Sequence, residues 1–484
     1  MEFSRLKRFS SPLVLACCAI AALWLPLLHR SLWLDELQTA WVVGGTLHDT
    51  ASRAFHTQGF TPFYYFILWA LRPILGMGEI GLRLPSLLLT LGSALLVYRL
   101  GRALLPAAQA ALAVLFFVCI DSVIDTAVTA RPYALALFFS LLSMYSFERW
   151  LCFGLRRHKF TYVVSTICLI YAHFLFAAIL ALEFLYWALF RSRSKVRAIS
   201  LVGACLYIFI GLVPTIPQIQ SMLIKRALMA IARMPTLSDL ILNCLPWLSL
   251  VAVVIAYFLA VGCTPKEQAV QVEDSAPPER RLLVFLALWA VMPAFLLFAA
   301  SYFLGSSVFM PRYFEWASPG VALFGAALMT RLKSERARLL LPVFFTLFCV
   351  ISEFTKDREP EDWRSATTEL QQLRGDKGAP LLFYSGVVES SNAEWLTEPI
   401  KQGQFLSPIL YYRVAQPVFL LPFEFSSEQA KTYWARTVIP RLPSAGPLYL
   451  LLLDNLSWTD EQGRQVTISE EVVKMLEKEG FALK

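Results

Sequence analysis

Residues 12–36 have the sequence PLVLACCAIAALWLPLLHRSLWLDE, a long apolar run that leads directly into two acids. As an α-helix, the apolar part (12–30) would rise about 28 Å at about 1.5 Å per residue, close to the roughly 30 Å of a bilayer's hydrocarbon core. Similar runs recur near 82–100, 104–121, 132–151, 198–216, 239–261, 282–303, 314–331 and 338–354. The chain is therefore predicted to be a polytopic α-helical membrane protein.

The composition supports this prediction and excludes other classes. Of the 484 residues, 57% are hydrophobic and only 16% are charged, whereas an average soluble domain carries roughly 25% charged residues. A disordered chain, a coiled coil and an ordinary cytosolic enzyme are thereby excluded. The nine cysteines contain no CxxC pair, so neither a disulfide framework nor a zinc site is indicated.

Two segments determine the number and orientation of the spans. Residues 160–190 are too long for one helix, and we expect two short helices that meet near His173. Residues 60–78 contain Arg72 and Pro73 and are predicted to form an interfacial helix on the outer face. The count is then about eleven spans, with a cytoplasmic, uncleaved N-terminus. This arrangement places 20 of the 29 bases in the first 355 residues inside, as the positive-inside rule requires.

The chain changes character near Lys356. From there onward it has 14 basic and 18 acidic residues, against 29 and 17 before it. Short β patterns alternate with helical patterns, the former at 379–388, 416–422 and 446–454, the latter at 362–373, 426–438 and 470–480. We therefore predict a transmembrane domain over 1–355 and a small extracytoplasmic α/β domain over 356–484. Because the bases lie in short loops, they are topology signals, and no nucleic-acid partner is expected.

Acidic residues at the outer ends of spans are candidate functional groups, since charge beside lipid is costly. Asp35 and Glu36 follow the first span, where such a pair can supply a base, bind a cation or orient a helix, with a solvated helix cap as the alternative. Asp121 and Asp125, spaced i,i+4, would share one helix face. Asp121 and Asp125 could share a cation or pair with a basic residue such as Arg131. The alternative is that they lie in a plain loop without a functional role.

Two arginine–tyrosine motifs lie at the same predicted depth. Arg131-Pro-Tyr133 opens the fourth span and Arg312-Tyr313 the tenth. An interfacial arginine can snorkel or bind a phosphate with two hydrogen bonds, and two such motifs exceed what snorkelling requires. His173 is either a hydrogen-bonded helix breaker or a ligand, and the five histidines show no zinc-binding spacing.

Taken in order, these motifs resemble one family. The set comprises Trp33-Leu34-Asp35-Glu36, Thr61-Pro62-Phe63-Tyr64-Tyr65, Arg83-Leu84-Pro85-Ser86, Tyr98-Arg99-Leu100-Gly101-Arg102, Ala130-Arg131-Pro132-Tyr133-Ala134-Leu135, Tyr171-Ala172-His173-Phe174 and Pro311-Arg312-Tyr313. Over about residues 12–355 the chain resembles the GT-C superfamily of integral-membrane glycosyltransferases. The most similar branch is family 39, the group of protein mannosyltransferases and lipid A aminoarabinose transferases.

The resemblance implies an inverting transfer of one sugar from a polyprenyl-phosphate carrier to an acceptor at the outer face of the plasma membrane. The basic loops and the lack of glycosylation context indicate that this is a bacterial inner membrane. It implies that Asp35 is the catalytic base and that Glu36 assists it or holds the acceptor. It further implies that Arg131, Arg312 and Tyr313 bind the donor phosphate. The expected acceptor is a glycan, lipid or protein of the cell envelope.

The remaining site expectations also come from the resemblance. Four residues are assigned to an acceptor or structural site: Tyr64, Tyr65, Tyr133 and His173. A divalent metal such as Mg²⁺ or Mn²⁺ is assigned to Asp121 and Asp125. The sequence departs from the family at Gly59-Phe60-Thr61-Pro62, where many members have a histidine before the proline, and at Thr129, where an acid is common.

Two other classes of protein stay open at this point. A transporter or flippase for a lipid-linked glycan should show internal repeats or charges deep within the spans. No convincing repeat is present, and most acids lie at the outer rim. Glu148 and Glu183 are exceptions that lie near or within spans. A non-catalytic cell-envelope assembly protein that keeps the fold is the second alternative.

Overall fold

The computed structural model describes residues 11–57, 62–225, 233–243, 279–329, 335–355, 361–374, 379–415, 417–423, 425, 427–443, 446–453, 457–459 and 465–482. The chain divides into two compact units. The helical unit comprises Met1–His29 and Phe60–Arg358, and the α/β unit comprises Arg30–Gly59 and Glu359–Lys484. The domain division after residue 355 stays a prediction; the compact units differ from it because residues 30–59 group with the C-terminal part of the chain.

Helices dominate the described part of both units. In chain order they are α1 (Pro12–Leu23), α2 (Leu34–Val43), α3 (Leu47–Thr57), α4 (Phe63–Leu75), α5 (Glu79–Leu104), α6 (Ala107–Val118), α7 (Asp121–Ala127), α8 (Tyr133–Phe153), α9 (Arg156–Ala172), α10 (Ile179–Leu189), α11 (Ala198–Leu212), α12 (Ile216–Lys225), α13 (Leu237–Asn243), α14 (Arg280–Leu304), α15 (Ser318–Leu328), α16 (Glu335–Thr355), α17 (Trp363–Arg374), α18 (Pro399–Phe405), α19 (Ser407–Tyr411), α20 (Glu428–Tyr433) and α21 (Ile468–Lys478). The strands are β1 (Leu381–Tyr384), β2 (Val418–Leu420), β3 (Tyr449–Leu452), β4 (Ser457–Thr459) and β5 (Gln465–Thr467).

The helical unit contains several segments that can cross a membrane. Among the described residues, Pro12–His29, Glu79–Leu104, Ala198–Gln220 and Arg280–Leu304 are long and apolar enough, and a fifth span results if α6 and α7, bent by 71°, act as one. The polytopic helical fold is thereby confirmed. The count of eleven spans and the orientation stay predictions. Most of the span predicted at 239–261 lies outside the described residues.

The two segments that the sequence analysis singled out, 160–190 and 60–78, both contain helices. Residues 160–190 form two helices, α9 and α10, and His173 lies between them in extended conformation (φ −159°, ψ 113°) before a 3-10 turn over Phe174–Ala178. Helix α4 has 13 residues, or about 20 Å of rise, which is too short to cross a bilayer directly.

Buried polar contacts hold the helical unit together at the ends of its helices. The side chain of Arg83 in α5 is buried, and its Nη1 donates to the carbonyl oxygen of Leu28 at 3.0 Å and to that of Leu27 at 3.4 Å. The last carbonyls of a helical segment have no partner within the segment, so the guanidinium supplies it. Trp289 in α14 donates its indole N–H to the carbonyl of Trp316 at 2.8 Å.

The α/β unit contains a three-stranded parallel sheet with strand order β2-β1-β3, in which Leu382 pairs with Phe419 on one side and Leu450 on the other. Strands β4 and β5 form a separate antiparallel pair. These elements confirm the small α/β fold predicted for the tail.

Residues 30–59 contribute helices to the same unit. Helix α2 packs against α18 and α19, and α3 packs against α18. The contact between α18 and α2 is close, because a Cβ added at Gly403 would lie 2.6 Å from Cζ2 of Trp41. Any larger residue at this position would force the indole of Trp41 to shift.

Candidate active site

An arginine–aromatic cluster, defined as Arg131, Tyr133, His173, Arg312 and Tyr313, lies in the helical unit. Its rings come from three separate segments: the start of α8, the break after α9 and a 3-10 turn over Pro311–Tyr313. The imidazole lies 5.5 Å from the ring of Tyr133 and 5.3 Å from that of Tyr313, measured between ring centroids, and the two tyrosine rings are 6.3 Å apart.

Both guanidiniums of the cluster are close to this aromatic group. Cζ of Arg131 lies 6.0 Å from the ring centroid of Tyr133, and Cζ of Arg312 lies 5.6 Å from that of Tyr313. Both arginines are also near enough to act electrostatically on His173. Arg131 and His173 are buried, while Arg312 is partly exposed. Two fixed positive charges around one imidazole N–H donor attract an anion that can accept several hydrogen bonds.

The structure thus brings together residues that the sequence assigned to different tasks. Arg131, Arg312 and Tyr313 were expected at the donor phosphate, and they lie in one cluster. Tyr133 and His173 were expected at an acceptor or structural site, yet they contact the same cluster. The geometry groups all five around one position.

Tyr64 and Tyr65 lie elsewhere in the helical unit. Both side chains are buried in α4, with their rings edge to face at 5.5 Å. The hydroxyl of Tyr64 lies 3.4 Å from Oγ of Ser86 in α5. This contact packs α4 against α5. It supports a structural role for these tyrosines rather than a role in binding the acceptor.

Asp121 and Asp125 lie on the short helix α7, which follows the bend after α6. Asp125 acts electrostatically on Glu315, a buried acid that the sequence analysis did not single out. Glu315 accepts a hydrogen bond from Oγ of Ser318 at 3.1 Å. Within the described ranges, no three His, Cys, Asp or Glu side chains are grouped to hold a metal ion. The two aspartates alone do not form such a donor set, and the metal site stays a prediction.

The acidic turn, defined as Asp35 and Glu36, lies in the first turn of α2 in the α/β unit. Glu36 is fully buried, and its Oε2 accepts the backbone N–H of Trp33 at 3.4 Å. It therefore caps its own helix. Asp35 is partly exposed. Of the two carboxylates, Asp35 has the surface needed to meet a substrate.

Two further charged residues of the α/β unit are linked to the acidic turn: Asp35 acts on Glu389, and Lys401 acts on Glu389 in turn. Burial raises the pKa of Glu389 above its usual value; the charge of Asp35 adds to this rise and that of Lys401 opposes it. Lys401 donates from Nζ to the carbonyl of His56 at 3.1 Å and lies 4.5 Å from the ring of Trp395. Nothing in the local sequence around Glu389 or Lys401 indicates a link to a turn some 350 residues earlier.

Comparisons with known proteins agree with the fold. The model of the family described as dolichyl-phosphate-mannose-protein mannosyltransferase matches residues 59–220. The crystal structure of ArnT from Cupriavidus metallidurans in the apo state superposes with a TM-score of 0.50 and 11% identity over 89% of this chain and 88% of that one. No curated protein sequence is significantly similar.

A second solved structure is the archaeal oligosaccharyltransferase AglB from Archaeoglobus fulgidus, in complex with an inhibitory peptide and a dolichol-phosphate. It gives a TM-score of 0.47 and 10% identity over 79% of this chain and 63% of the archaeal one. The chain therefore spans less than two thirds of that protein.

The helical fold and the matching family model together define an integral-membrane glycosyltransferase. More particularly, these findings support the GT-C superfamily as the group that the chain resembles. The family match covers α4 to α11 and includes Arg131, Tyr133 and His173. The resemblance seen in the sequence is confirmed, and the transferase is favoured over the transporter and the non-catalytic assembly protein.

Proposed function

We propose that this protein transfers a sugar from a polyprenyl-phosphate-linked donor to an acceptor hydroxyl at the outer face of a bacterial inner membrane, with inversion at the anomeric carbon. The arginine–aromatic cluster is the observation that carries the proposal. It combines two guanidiniums and an imidazole, and most of it lies in the region matched by a family whose description contains a dolichyl-phosphate-linked mannose.

Arg131 and Arg312 bind the phosphate of the donor. When the bond between the anomeric carbon and the phosphate oxygen breaks, negative charge develops on that oxygen. Fixed cationic donors stabilise this charge, and removal of one such donor typically lowers kcat by about 10²–10³. His173 adds a hydrogen-bond donor to the same anion, and Tyr133 and Tyr313 hold its ring by contact on two sides.

Asp35 is the general base in this mechanism. Its carboxylate takes the proton of the acceptor hydroxyl while the hydroxyl oxygen forms a bond to the anomeric carbon. The electron pair of the broken bond leaves with the carrier, which departs as polyprenyl phosphate. One displacement with one base gives the inverted product, and a base at hydrogen-bond distance contributes about 10²–10⁴ to the rate.

The acceptor and the topology belong to the same proposal. The acceptor is a glycan, lipid or protein of the cell envelope that presents a hydroxyl outside the membrane. The N-terminus is cytoplasmic and residues 356–484 are periplasmic, as the distribution of basic loops favours.

The test uses purified protein reconstituted in sealed lipid vesicles, a panel of polyprenyl-phosphate monosaccharides and a crude envelope extract as the source of acceptor. Mass spectrometry follows the release of free polyprenyl phosphate, and NMR of the product gives the anomeric configuration. Wild type should consume one donor and yield the inverted product. A donor that is carried across the bilayer intact, with no release of polyprenyl phosphate, would instead establish the transporter.

A further inference from the structure

Two residues of the C-terminal segment hold the backbone of the acidic turn in place. We propose that Glu361 and Tyr412 are positioning residues, which fix the conformation in which Asp35 accepts the proton of the acceptor. The inference rests on the proposed function only in the role given to Asp35. All of the contacts that carry it lie within the α/β unit.

Glu361 holds the residue next to Asp35. Its Oε2 accepts the backbone N–H of Leu34 at 2.9 Å and the indole N–H of Trp363 at 3.0 Å. The indole is buried and lies edge to face against the ring of Phe383 in β1, 5.7 Å between centroids. The carboxylate is therefore anchored to the sheet on one side and to the acidic turn on the other.

Tyr412 holds the chain just before the turn. Its hydroxyl oxygen accepts the backbone N–H of Leu32 at 3.3 Å and lies 3.2 Å from Oγ of Ser31. The backbone N–H of Arg364 also donates to that serine oxygen, at 3.2 Å. Tyr412 is itself fixed, because Nε2 of Gln371 donates to its carbonyl at 3.0 Å.

The bond between Glu361 and Leu34 satisfies an N–H group that α2 leaves without a partner. Leu34 is the first residue of the helix, and the first N–H groups of a helix have no acceptor within it. A carboxylate is a strong acceptor for such a group. Without these bonds the turn would be free to change its backbone angles, and an error of about 1 Å in the position of a catalytic group can cost about 10²-fold in rate.

The kinetic test compares three variants with a matched control. Glu361→Ala removes the acceptor and should lower kcat about 10²-fold with little change in the KM for the donor. Glu361→Gln keeps an oxygen that accepts the same two N–H groups and should retain activity within about threefold. Tyr412→Phe removes one hydroxyl and should lower kcat about tenfold.

Tyr433→Phe is the matched control, because its hydroxyl also bonds to a backbone group of the same unit, the carbonyl of Leu420, at 3.1 Å. It should leave kcat unchanged. Recovery by Glu361→Gln and the separation of kcat from KM distinguish positioning from a general loss of folded protein.

Amide hydrogen exchange of the peptide covering residues 31–37 tests the positioning without any turnover. Exchange should be faster in Glu361→Ala and Tyr412→Phe than in wild type, Glu361→Gln or Tyr433→Phe. If Glu361→Ala does not fold, Tyr412→Phe decides the question, because it leaves the ring in place.

Three results would overturn the proposal: unchanged exchange in both variants, faster exchange with undiminished kcat, or equal losses of activity in Glu361→Ala and Glu361→Gln. The proposed function fails separately, through full activity of Asp35→Asn. In that case the exchange experiment still reports whether Glu361 and Tyr412 hold the turn.

Discussion

The imidazole of His173 lies 5.3 Å from the ring of Tyr313, centroid to centroid, although one residue follows α9 and the other belongs to a 3-10 turn after α14. Arg312 directly precedes Tyr313, and Arg131 lies two residues before Tyr133, whose ring is 6.3 Å from that of Tyr313. The two arginine–tyrosine motifs are therefore parts of one cluster, which is more than two independent interfacial anchors would produce.

Loss of either guanidinium should impair the use of the donor. Arg131→Ala and Arg312→Ala are each expected to lower kcat about 10²–10³-fold, because the charge on the departing phosphate oxygen loses a fixed donor. Arg131→Lys should recover only part of the rate, since an ammonium cannot make the two parallel hydrogen bonds of a guanidinium. Release of polyprenyl phosphate, followed by mass spectrometry, measures all three.

Arg149→Ala serves as the control for these variants. Its guanidinium also lies over an aromatic ring, with Cζ 4.4 Å from the centroid of Phe153, but it is at the opposite end of α8 from Tyr133. Equal losses from Arg149→Ala and Arg131→Ala would show that the effect comes from folding and not from the cluster.

Much of the fold could be predicted because its signals are local. The break at His173 follows from an apolar run too long for one helix, and the order of strands and helices in the tail follows from short periodic patterns. The grouping of residues 30–59 with the C-terminal segment could not be predicted. It depends on contacts such as that between Leu34 and Glu361, 327 positions apart, and no periodicity encodes such a distance.

The candidate site, like the fold, could be predicted from the sequence only in part. Arg312 and Tyr313 stood out because a charged motif begins an apolar run. Glu315 did not stand out in the sequence. It lies three residues after Arg312, where an acid looks like part of the same interfacial turn. Its burial depends on packing of the turn against α14, where Trp289 bonds to the carbonyl of the neighbouring Trp316. Such burial becomes visible only when both segments are placed.

Glu389 should make the stability of the protein depend on pH. Its pKa is raised above the ordinary value of 4.5, mainly by burial and also by the charge of Asp35, and Lys401 opposes the rise. The folded form therefore holds this proton more tightly than the unfolded form. The resulting stabilisation is complete below about pH 4.5 and is lost as the pH rises through the folded pKa.

Glu389→Gln removes the titration, so its apparent Tm relative to wild type should increase from pH 4.5 to pH 8. Thermal unfolding of the purified protein over this range measures the difference. Glu394→Gln, which changes an exposed glutamate of the same region, should show no such trend. A constant difference between Glu389→Gln and wild type across the range would contradict the prediction.

Arg83 should contribute to stability through the carbonyls it satisfies. Arg83→Met keeps the aliphatic stem but leaves the carbonyls of Leu27 and Leu28 without this donor. A lost hydrogen bond to a buried group typically costs about 1–3 kcal/mol, so the apparent Tm in detergent should fall clearly. Arg99→Met, at an exposed position of the same helix, should have little effect. Equal Tm values for the two variants would argue against the capping role.

The proposed orientation predicts opposite protease sensitivities for two exposed basic sites. Lys431 lies in the α/β unit, and its side chain is 58% exposed; Arg193 lies in a loop of the helical unit, and its side chain is 66% exposed. Trypsin should cleave at Lys431 in spheroplasts and at Arg193 only in inverted vesicles. Cleavage at Arg193 from outside would reverse the proposed topology.

The two carboxylates of the acidic turn should respond differently to the loss of charge. Asp35→Asn removes the proposed base and should lower kcat about 10²–10⁴-fold while the protein still folds and binds the donor. Glu36→Gln keeps an oxygen that can accept the N–H of Trp33, so it should retain activity within about threefold. Glu36→Ala removes the cap, and loss of a cap costs about 0.5–2 kcal/mol of stability. Single-turnover rates with a bound donor, together with thermal unfolding, separate these effects. If Glu36→Gln were as inactive as Asp35→Asn while equally stable, the proton would have to pass to Glu36, and the assignment of the base to Asp35 would be wrong.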